Sequence, residues 1–562
     1  RVNRVRRGKS TGVYCGCCFY TVVILFKLNF SALLCPQISK CRSSLQKRGP
    51  DVGSTHQIDV NGYTALFSGN ILWTQGERPT GQPYMDRKGN ILLWNGDVYS
   101  WNLTMNASIK DSDTKIISDY LCDGGSMELL MTSVHGPYSI IYYDCEQKVL
   151  WVGRDPIGRI SLLWNISINK LIVTSVGHKD IPDLKEVPAI GLFKFDLNAC
   201  KLVPQLYQWS HTRFDCDYDI PNELQYFKQT CAHHVTNPED SILYENNQLN
   251  MSELLSHQEF CKNVSNLIHY LSQSVQKRTT INPKACKMCE FKCDHAKVAI
   301  LFSGGIDSAL LALLASKYVE SDEPIDLLNV SFERPANSNN FECPDRQTCL
   351  NTLEELKTLC PTRRWNLIKI DIPNVELQQK RFDTIRHLIY PLKTVLDDSL
   401  GCSLWFASRG LGKCNGKSYK TPARVLLSGM GADELLGGYT RYRKILQRHG
   451  WQSLNEELDK DFSKIPSRNL GRDNRVCCDH GRQLRTPYLD ENVVEFIRGL
   501  APWQRCWPKE PYPINLGEKL LLRLAAFKLG LVNAACLPKR ALQFGSRIAN
   551  KKENGSDISD RL

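Results

Sequence analysis

The sequence predicts two structural parts, an α+β first part built on antiparallel β-sheet and an α/β second part built on a parallel sheet with a helical end. In roughly the first 200 residues, short β-like runs are separated by Gly, Asn and Asp, which is typical of antiparallel strands joined by turns. From residue 298 onward, strand-like runs such as VAILF and VLLSG alternate with segments of helical length, which indicates βαβ units. The β-like runs of the first part are Tyr63–Phe67, Ile91–Trp94, Tyr138–Tyr143, Val149–Gly153, Leu171–Val176 and Leu192–Phe195.

Changes in this pattern set the predicted boundaries. The segment from 205 is polar and weakly patterned, with one helix expected at 253–276, and a further helix is expected at 517–530. The predicted segments are an N-terminal extension (1–14), a first domain (15–204), a linker and helical approach (205–295), a second domain (296–548) and a disordered polar tail (549–562).

Composition indicates a globular protein and excludes several classes. The chain has 562 residues, with 42% hydrophobic and 23% charged residues, enough for several domains with a large core. The net charge of +12 is scattered, and no basic face with interleaved aromatic residues indicates nucleic-acid binding. The N-terminal run YCGCCFYTVVILF imitates a signal peptide, but it stops at Lys27 and is too short to span a bilayer, so we expect a buried strand and no membrane.

The cysteines favour a reducing, cytoplasmic location. There are 23 of them at irregular spacings, in a chain far longer than a disulfide-stapled domain. One cluster, Cys286, Cys289, Cys293 and His295, has residue types that zinc sites use. No second pair at ribbon spacing follows it, so a metal site and free surface thiols both remain open.

The segment Ser303-Gly304-Gly305-Ile306-Asp307-Ser308 follows the predicted strand VAILF and precedes an apolar helix. Ligands of α/β sheets bind beyond the carboxyl ends of the strands. Glycines allow close backbone approach, and a helix N-terminus favours an anion. Asp307 would repel a phosphate unless a cation lies between them, so the hexapeptide predicts a polyphosphate with Mg²⁺.

Two other phosphate and nucleophile motifs do not fit this segment. A Walker-type loop requires a Lys before its final Ser or Thr, and the segment has none. A hydrolase nucleophile elbow requires Gly where Leu301 stands.

A second stretch, 425-VLLSGMGADELLGGY-439, repeats the same arrangement of strand, glycine-rich turn, carboxylates and helix start. It ends its strand at Ser428-Gly429 and supplies Asp433 and Glu434. Two such turns at one sheet edge predict a shared site for an anion and a metal ion.

These motifs resemble a known family. SGGIDS resembles the PP-loop of ATP pyrophosphatases, and SGMGADELLGGY, 485-RTPYLD and 539-KRALQFG resemble segments of asparagine synthetases. In the first half, 48-RGPD, 95-NGDVY and 155-DPIG resemble class II glutamine amidotransferases, and 14-YCGC resembles their opening with a nucleophilic Cys. The segment 396–410 is similar to a branch of asparagine synthetase domain-containing proteins.

The resemblance implies a fold and a reaction. The first half is expected to be an Ntn-hydrolase-like antiparallel sandwich, and the second a PP-loop domain like those of the adenine nucleotide alpha hydrolases. The implied reaction uses ATP and Mg²⁺ to convert aspartate to β-aspartyl-AMP and pyrophosphate, which ammonia from glutamine then converts to asparagine. The partners are therefore small molecules (aspartate, glutamine or ammonia, and ATP), and a homodimer is compatible with the family.

The same resemblance implies roles for individual residues. Lys539 or Arg540 would neutralise charge on the phosphates, and the family motifs leave open which of the two does so. Asp307 and Asp433 would hold Mg²⁺. The residues expected to bind nucleotide are Leu301, Ser303, Gly304, Gly305, Asp307, Ser308, Val330, Ser428 and Gly429. Those expected in the glutaminase half are the nucleophile Cys15 and the glutamine ligands Arg48, Asn95, Gly96 and Asp113.

Several positions depart from the family. Pro391 stands where a Glu that deprotonates ammonia is expected, and Asp397 and Asp398 are the nearest carboxylates. Either one of them substitutes as the base or this step is impaired, and both are also expected as metal ligands. Asp97 replaces a Glu. As written, fourteen residues precede Cys15, whose free α-amino group is the base in this mechanism, so glutamine would be held without hydrolysis unless the extension is removed.

Three hypotheses follow. The first is a glutamine-dependent asparagine synthetase-like ligase. The second is a degenerate member that binds nucleotide or serves as a scaffold, with an inactive glutaminase half. The third is an AMP-forming ligase that acts on another carboxylate.

Overall fold

The computed structural model describes most of the chain. The described residues are 18–27, 35–74, 79–101, 112–167, 170–209, 213–215, 243, 250–281, 295–333, 340–509, 514–549 and 553–562. Cys15 and the cysteines of the 286–293 cluster lie outside them. No helix in these ranges is long and apolar enough to cross a membrane.

The first domain is built from two large antiparallel sheets, as the sequence predicts. A six-stranded sheet has the order β12-β10-β11-β1-β3-β2, and a seven-stranded sheet has the order β15-β14-β13-β9-β8-β5-β4. Five of the six β-like runs of the sequence and the run FYTVVILF lie within these strands, and the sixth, Leu171–Val176, extends two residues past the end of β11. The strands are β1 (Cys18–Lys27), β2 (Val52–Val60), β3 (Tyr63–Leu72), β4 (Tyr84–Met85), β5 (Ile91–Gly96), β6 (Ser100–Trp101), β7 (Val134–His135), β8 (Tyr138–Asp144), β9 (Val149–Arg154), β10 (Leu163–Ser167), β11 (Lys170–Thr174), β12 (Lys185–Glu186), β13 (Gly191–Asp196), β14 (Pro204–Gln208) and β15 (Arg213–Asp215).

The two sheets face each other across an apolar core. Phe67, Ile141, Val152, Leu171 and Phe193 are buried together between them, because alternate residues of each strand point to the same face. The outer face of the seven-stranded sheet is covered by α2 (Asp113–Cys122) and α3 (Met127–Ser133), and α1 (Cys35–Arg48) covers the six-stranded sheet. The second sheet continues to β15, past the boundary predicted at 204, because β15 pairs with β14.

The second domain is an α/β fold with a seven-stranded sheet of order β20-β19-β18-β17-β16-β21-β22. Five of its strands are parallel and alternate with helices, and β19 and β20 form an antiparallel edge hairpin. The strands are β16 (Val298–Leu301), β17 (Ile325–Phe332), β18 (Trp365–Ile372), β19 (Leu411–Cys414), β20 (Lys417–Lys420), β21 (Val425–Leu427) and β22 (Gln483–Arg485).

Helices surround this sheet and form the C-terminal part. The α-helices are α4 (Met251–Ser256), α5 (Gln258–Thr280), α6 (Ile306–Ala315), α7 (Pro344–Leu359), α8 (Asn374–Lys380), α9 (Arg386–Ile389), α10 (Val395–Arg409), α11 (Ala432–Leu436), α12 (Arg441–Ile465), α13 (Gly471–Cys478), α14 (Glu491–Arg498), α15 (Pro502–Arg505), α16 (Ile514–Gly517), α17 (Leu520–Lys528), α18 (Val532–Cys536) and α19 (Leu542–Gly545). Shorter π- and 3₁₀-helical segments are Arg381–Ile385, Pro466–Leu470 and Pro487–Leu489.

Both single helices expected from the sequence are divided. The predicted helix at 253–276 is α4 and α5, which meet at His257 in extended conformation. The predicted helix at 517–530 is α16 and α17, with Lys519 between them in the left-handed conformation (φ 56°). A non-glycine residue in that conformation is uncommon, and it marks a position where the surrounding structure holds the chain.

The tail predicted as disordered is instead docked on the second domain. Val395 N donates to Asp557 O at 2.9 Å, Leu396 N donates to Gly555 O at 3.0 Å, and Thr394 forms a β-bridge with Ile558. The carbonyl groups of Gly555 and Asp557 thus accept from two backbone amides in the first turn of α10, which have no acceptor within the helix. These hydrogen bonds explain why this part of the tail is ordered.

The two domains pack through a shared core and through buried arginines. One apolar cluster contains Leu45 and Ile172 of the first domain together with Leu388 and Val476 of the second. Arg159 lies among groups of both domains and donates to Glu491 Oε1 at 2.5 Å, to Asp155 Oδ1 at 2.9 Å and to Leu489 O at 2.9 Å.

The Arg159–Glu491 contact gives a pH dependence to the domain interface. Burial alone would raise the pKa of Glu491, but Arg159 outweighs burial and lowers it from 4.5 to about 2. A carboxyl whose pKa is lowered on folding stabilises the fold above its unfolded pKa, and this stabilisation is lost as pH falls from about 4.5 toward 2.

We therefore expect Glu491→Gln to reduce the free energy of unfolding by about 2 kcal/mol at pH 7 and by almost nothing near pH 2. Urea unfolding of both proteins between pH 7 and pH 2 measures this difference. A difference that stays constant across the acid range would contradict the assignment.

Candidate functional site

The hexapeptide Ser303–Ser308 forms a tight loop between β16 and α6. Gly304 has φ +80°, and a Cβ added there would lie 2.5 Å from the backbone nitrogen of Cys349 in α7. Ser303 Oγ accepts from Gly305 N at 3.2 Å, and Ser308 Oγ donates to Gly305 O at 3.0 Å. Only glycine fits between the loop and α7, so the sequence at 304 is fixed by both conformation and space.

The second glycine-rich turn lies directly against this loop. A Cβ on Gly429 would lie 2.9 Å from Asp307 Cβ, so the two turns are in contact at the sheet edge. Ser428 N donates to Arg485 O at 3.0 Å, which extends the register of β21 and β22 into the turn. The two turns therefore lie together, in the arrangement that the sequence predicts.

A cavity of about 450 Å³ opens above these turns. This volume is in the range of small-molecule sites. Most of the residues that the sequence assigns to nucleotide, metal or phosphate line it, while Gly304 and Gly305 shape the loop beneath. The predicted residues that line the cavity are Leu301, Ser303, Asp307, Ser308, Val330, Ser428, Gly429, Asp433, Glu434, Lys539 and Arg540.

Lys519 is the residue at this site that sequence reasoning missed. Its Nζ lies 2.7 Å from both carboxylate oxygens of Asp307 and 2.6 Å from Asp433 Oδ1, and its side chain is 2% exposed. Lys539 Nζ donates to the other oxygen, Asp433 Oδ2, at 2.6 Å. Two carboxylates from two turns and two lysines from the C-terminal part thus form one network, which we call the lysine–aspartate cluster (Asp307, Asp433, Lys519 and Lys539).

The charges in this cluster shift one another's ionisation. Burial disfavours the charged form of Lys519, but Asp307 and Asp433 outweigh burial and raise its pKa. Burial alone would raise the pKa of Asp433, but Lys519 and Lys539 hold it well below its usual range. A Cβ on Gly438 would lie 2.0 Å from Asp433 Oδ1 and 2.4 Å from Lys519 Cε, so the glycine pair 437–438 makes room for the cluster.

The cluster fits a hydrated divalent cation bound with phosphate oxygens. Asp307 and Asp433 offer the carboxylate oxygens that Mg²⁺ prefers, and both already lie around one positive charge, the ammonium of Lys519. Within the described ranges, no group of three or more His, Cys, Asp and Glu side chains is placed to hold a metal by itself. A metal ion here would depend on a phosphate ligand to complete its coordination.

Glu434 lines another part of the cavity. It accepts from Tyr439 Oη at 2.6 Å and from Asn469 Nδ2 at 3.0 Å, both at Oε1. Burial and the neighbouring Asp433 raise its pKa. Glu434 does not share the lysine contacts of Asp433, so the two adjacent carboxylates have different partners.

The structure corrects the expectation for Asp397 and Asp398. Asp397 Oδ2 accepts from Thr394 N at 3.1 Å within the capping box of α10, and Asp397 Oδ1 accepts from Arg472 at 2.6 Å. Asp398 is fully buried between Arg381 (2.8 Å) and Arg561 (2.9 Å). Neither lines the cavity, because arginines from three other segments neutralise them, so neither is placed as the base or as a metal ligand beside Asp307.

The residues predicted to bind glutamine are brought together only in part. Asn95 and Gly96 lie at the end of β5, and Asp113 Oδ2 accepts from the indole of the preceding Trp94 at 3.2 Å. Arg48 is directed elsewhere, since its guanidinium donates to Arg475 O at 2.9 Å and to Asn474 Oδ1 at 2.9 Å in α13 of the second domain. In this structure Arg48 therefore makes a contact between domains, and its assignment to glutamine stays a prediction.

Asp97 is likewise committed to the second domain. It is fully buried and lies 3.4 Å from Arg485 Nε, with Gln483 and Tyr99 as further partners. Cys15 and three members of the Cys286–His295 cluster lie outside the described residues, so their assignments stay predictions.

The fold and this site define a two-domain protein that joins a class II glutamine amidotransferase-like, Ntn-hydrolase-like domain to an asparagine synthase-like PP-loop domain. Family models agree, since "Glutamine amidotransferase domain" matches residues 17–191 and "Asparagine synthase" matches residues 293–452. The chain belongs to the family of asparagine synthetase domain-containing proteins.

Similar proteins cover nearly the whole chain. Asparagine synthetase domain-containing protein 1 of Homo sapiens is 38% identical over 92% of this chain and 93% of its own. The Drosophila melanogaster protein CG17486 is 38% identical over 92% of this chain and 95% of its own. A putative glutamine-hydrolysing asparagine synthetase of Methanocaldococcus jannaschii is 32% identical over 35% of this chain and 32% of its own. A solved allosteric regulatory enzyme of purine biosynthesis, with a TM-score of 0.23 and 14% identity over 57% of this chain and 68% of its own, is too distant to carry an argument.

The sequence carries no motif that reveals the contacts of Lys519 or of the C-terminal tail. Lys519 directly precedes the apolar run Leu520–Leu522 at the start of α17, and no short motif connects it to Asp307. The tail was missed because its composition is polar, although its ordered contacts are mainly backbone hydrogen bonds.

The arginines around Asp398 give a direct test of its structural role. We expect Asp398→Ala to lower the free energy of unfolding by about 3–5 kcal/mol, since it leaves the buried Arg381 uncompensated. Arg561→Ala keeps the Arg381–Asp398 pair and should cost about 1 kcal/mol or less. Urea unfolding measures both, with Glu553→Ala, on the exposed side of Arg561, as the matched control. Equal losses for Asp398→Ala and Glu553→Ala would contradict this role.

Proposed function

We propose that this protein is an ATP-dependent ligase of the asparagine synthetase type. It adenylates the carboxylate of aspartate, with AMP and pyrophosphate as products, and ammonia from glutamine then converts the adenylate to the amide. The observation that carries this proposal is the lysine–aspartate cluster at the contact of two glycine-rich turns, at the edge of a parallel sheet where such ligands bind.

In the proposed site, each element of the cavity has a chemical role. Ser303, the glycine amides of the loop and Ser308 bind the β- and γ-phosphates, because backbone N–H groups and a helix N-terminus favour anions. Asp307 and Asp433 would hold Mg²⁺, which, when bound, withdraws charge from the phosphates. Leu301 and Val330 line the nucleotide.

Adenylation requires compensation of new negative charge. When the carboxylate attacks the α-phosphorus, the bond to the β-phosphate breaks and charge collects on the departing pyrophosphate. Lys519 and Lys539, which contact Asp307 and Asp433, would neutralise it, and Arg540 lines the same cavity as Lys539. Both lysines are held by carboxylates in this structure, and in the proposed complex their ammonium groups would turn to the phosphates.

A second candidate is a family member whose glutaminase half no longer hydrolyses glutamine. The specific observation in its favour is that Arg48 and Asp97 are used in contacts between domains. In this version the first domain acts as a scaffold for the second, and free ammonia supplies the nitrogen.

The first half-reaction is tested by exchange of labelled pyrophosphate into ATP. We expect purified protein with ATP, Mg²⁺ and aspartate to catalyse exchange, and Lys519→Met to lower kcat/KM by about 10²- to 10³-fold, because it removes a charge that stabilises the leaving group. Lys528→Met, at an exposed position of α17, is the matched control and should leave the rate unchanged. Absence of exchange with the unmodified protein would overturn the proposed ligase activity with aspartate.

The nitrogen source separates the two candidates. Asparagine formation with ammonium and with glutamine is measured on the same preparation. Equal rates support glutaminase activity, and formation with ammonium alone supports the scaffold version.

A further inference from the structure

The cavity contains one carboxylate that differs from all the others. Among the described residues, five carboxylates line it, and four have charged or hydrogen-bonding partners. These four are Asp307, Asp433 and Glu434, described above, and Asp473, which accepts from Arg472 Nε at 2.8 Å. The fifth, Asp345, is 6% exposed, and within the part of the chain that the structure describes its carboxylate oxygens accept no hydrogen bond. A buried carboxylate without a donor costs free energy, so its retention in a cavity points to a role there.

Asp345 is held beside the PP-loop by its own helix. It lies in the first turn of α7, and the next turns of this helix pack on the loop, with Thr352 Oγ1 donating to Gly304 O at 2.8 Å. Asn329 Nδ2 donates to Phe302 O at 3.0 Å and lies 3.5 Å from Asp345 O, so β16, β17 and α7 are joined at this point. The position of Asp345 relative to the loop is thereby fixed.

The surroundings of Asp345 raise the pKa of its carboxyl group. A Cβ on Gly545 would lie 2.0 Å from Asp345 Oδ1, so the glycine of α19 closes one side of the carboxylate and excludes water there. The neighbouring Arg346 is directed away, to Asn329 and Asp371. Burial raises the pKa of Asp345 to about 7, although Arg540 and Lys539, the charged groups that face it, favour its ionised form.

We propose that Asp345 is the proton acceptor of the amide-forming step. This inference rests on the proposed function. It also answers the difficulty raised by Pro391, since Asp397 and Asp398 are neutralised by arginines and Asp307 and Asp433 by lysines. Among the lining carboxylates described, Asp345 alone combines access to the cavity with no donor, which are the properties a general base needs.

The amide-forming step consists of addition of ammonia, transfer of one proton and departure of AMP. The nitrogen of ammonia attacks the acyl carbon, the new C–N bond forms, and the attacking nitrogen becomes positively charged. Asp345 takes one proton from this nitrogen, the bond between the acyl carbon and the AMP oxygen breaks, and AMP leaves with the electron pair. Asp345 then returns its proton to water.

Asp345→Asn is the informative variant, since it keeps the size and polarity of the side chain and removes its basicity. We expect pyrophosphate exchange to stay within about threefold of the unmodified protein, and amide formation with ammonia to fall by about 10²- to 10³-fold. Hydroxylamine gives a more acidic nitrogen after attack and depends less on a base, so hydroxamate formation should recover most of the loss. Glu342→Gln, at an exposed position just before α7, is the matched control.

The pH profile gives a readout that a structural role would not move. At a fixed concentration of unprotonated ammonia, kcat of the unmodified protein should decline below an apparent pKa near 7, and Asp345→Asn should lack this limb. Asp345→Glu should keep the limb at a lower rate, and it provides the test if the Asn variant does not fold.

Four outcomes overturn the assignment of Asp345: no acid limb in the unmodified protein, an unchanged amide rate in Asp345→Asn, equal loss of exchange and amide formation, or no recovery with hydroxylamine. Lack of exchange in the unmodified protein is a different result. It overturns the proposed function itself.

Discussion

The site depends on one buried ammonium group shared by two carboxylates. Lys519 contacts Asp307 of the PP-loop and Asp433 of the second glycine-rich turn, and it reaches both from a backbone position with positive φ. If this charge is removed, two carboxylates remain close together at a cavity wall, an arrangement of high electrostatic cost. The left-handed backbone at Lys519, the glycines at 429 and 438 and the division between α16 and α17 all allow this one contact.

The same contact is the reason that we propose ATP with Mg²⁺ for this site. A cation already lies between the two carboxylates, and a metal ion bridged to phosphate would satisfy them in the same way. The two lysines would then be available to the phosphates. The charges of the lysine–aspartate cluster are therefore close to those that a bound nucleotide would require.

Residues of the first domain also form the interface with the second domain. Arg48 and Asp97 belong to segments that resemble amidotransferases, and Arg159 directly follows such a segment, yet each contacts the second domain. Asp97 contacts Arg485, whose carbonyl accepts from Ser428 N in the nucleotide turn. The packing of the two domains is thus continuous with the geometry of the cavity where we propose that nucleotide binds.

The sequence predicts the architecture well where local patterns decide it. The alternating runs of the first domain and the apolar strands 298–301 and 425–427 form as expected, and the two glycine-rich turns meet because parallel strands end at one sheet edge. Contacts between distant segments could not be predicted in this way. Lys519 lies 212 residues from Asp307, Arg561 is far from Asp398, and Arg48 lies 427 residues from its acceptor Arg475.

The central claim is that the lysine–aspartate cluster binds ATP with Mg²⁺, and a crystal structure with Mg²⁺ and α,β-methylene-ATP tests it most directly. We expect the phosphates to lie on Ser303–Ser308 and a metal ion to be held by Asp307 and Asp433. We also expect Lys519 Nζ to contact a phosphate oxygen in place of Asp307. Nucleotide bound away from this loop, or a cluster unchanged beside bound nucleotide, would contradict it.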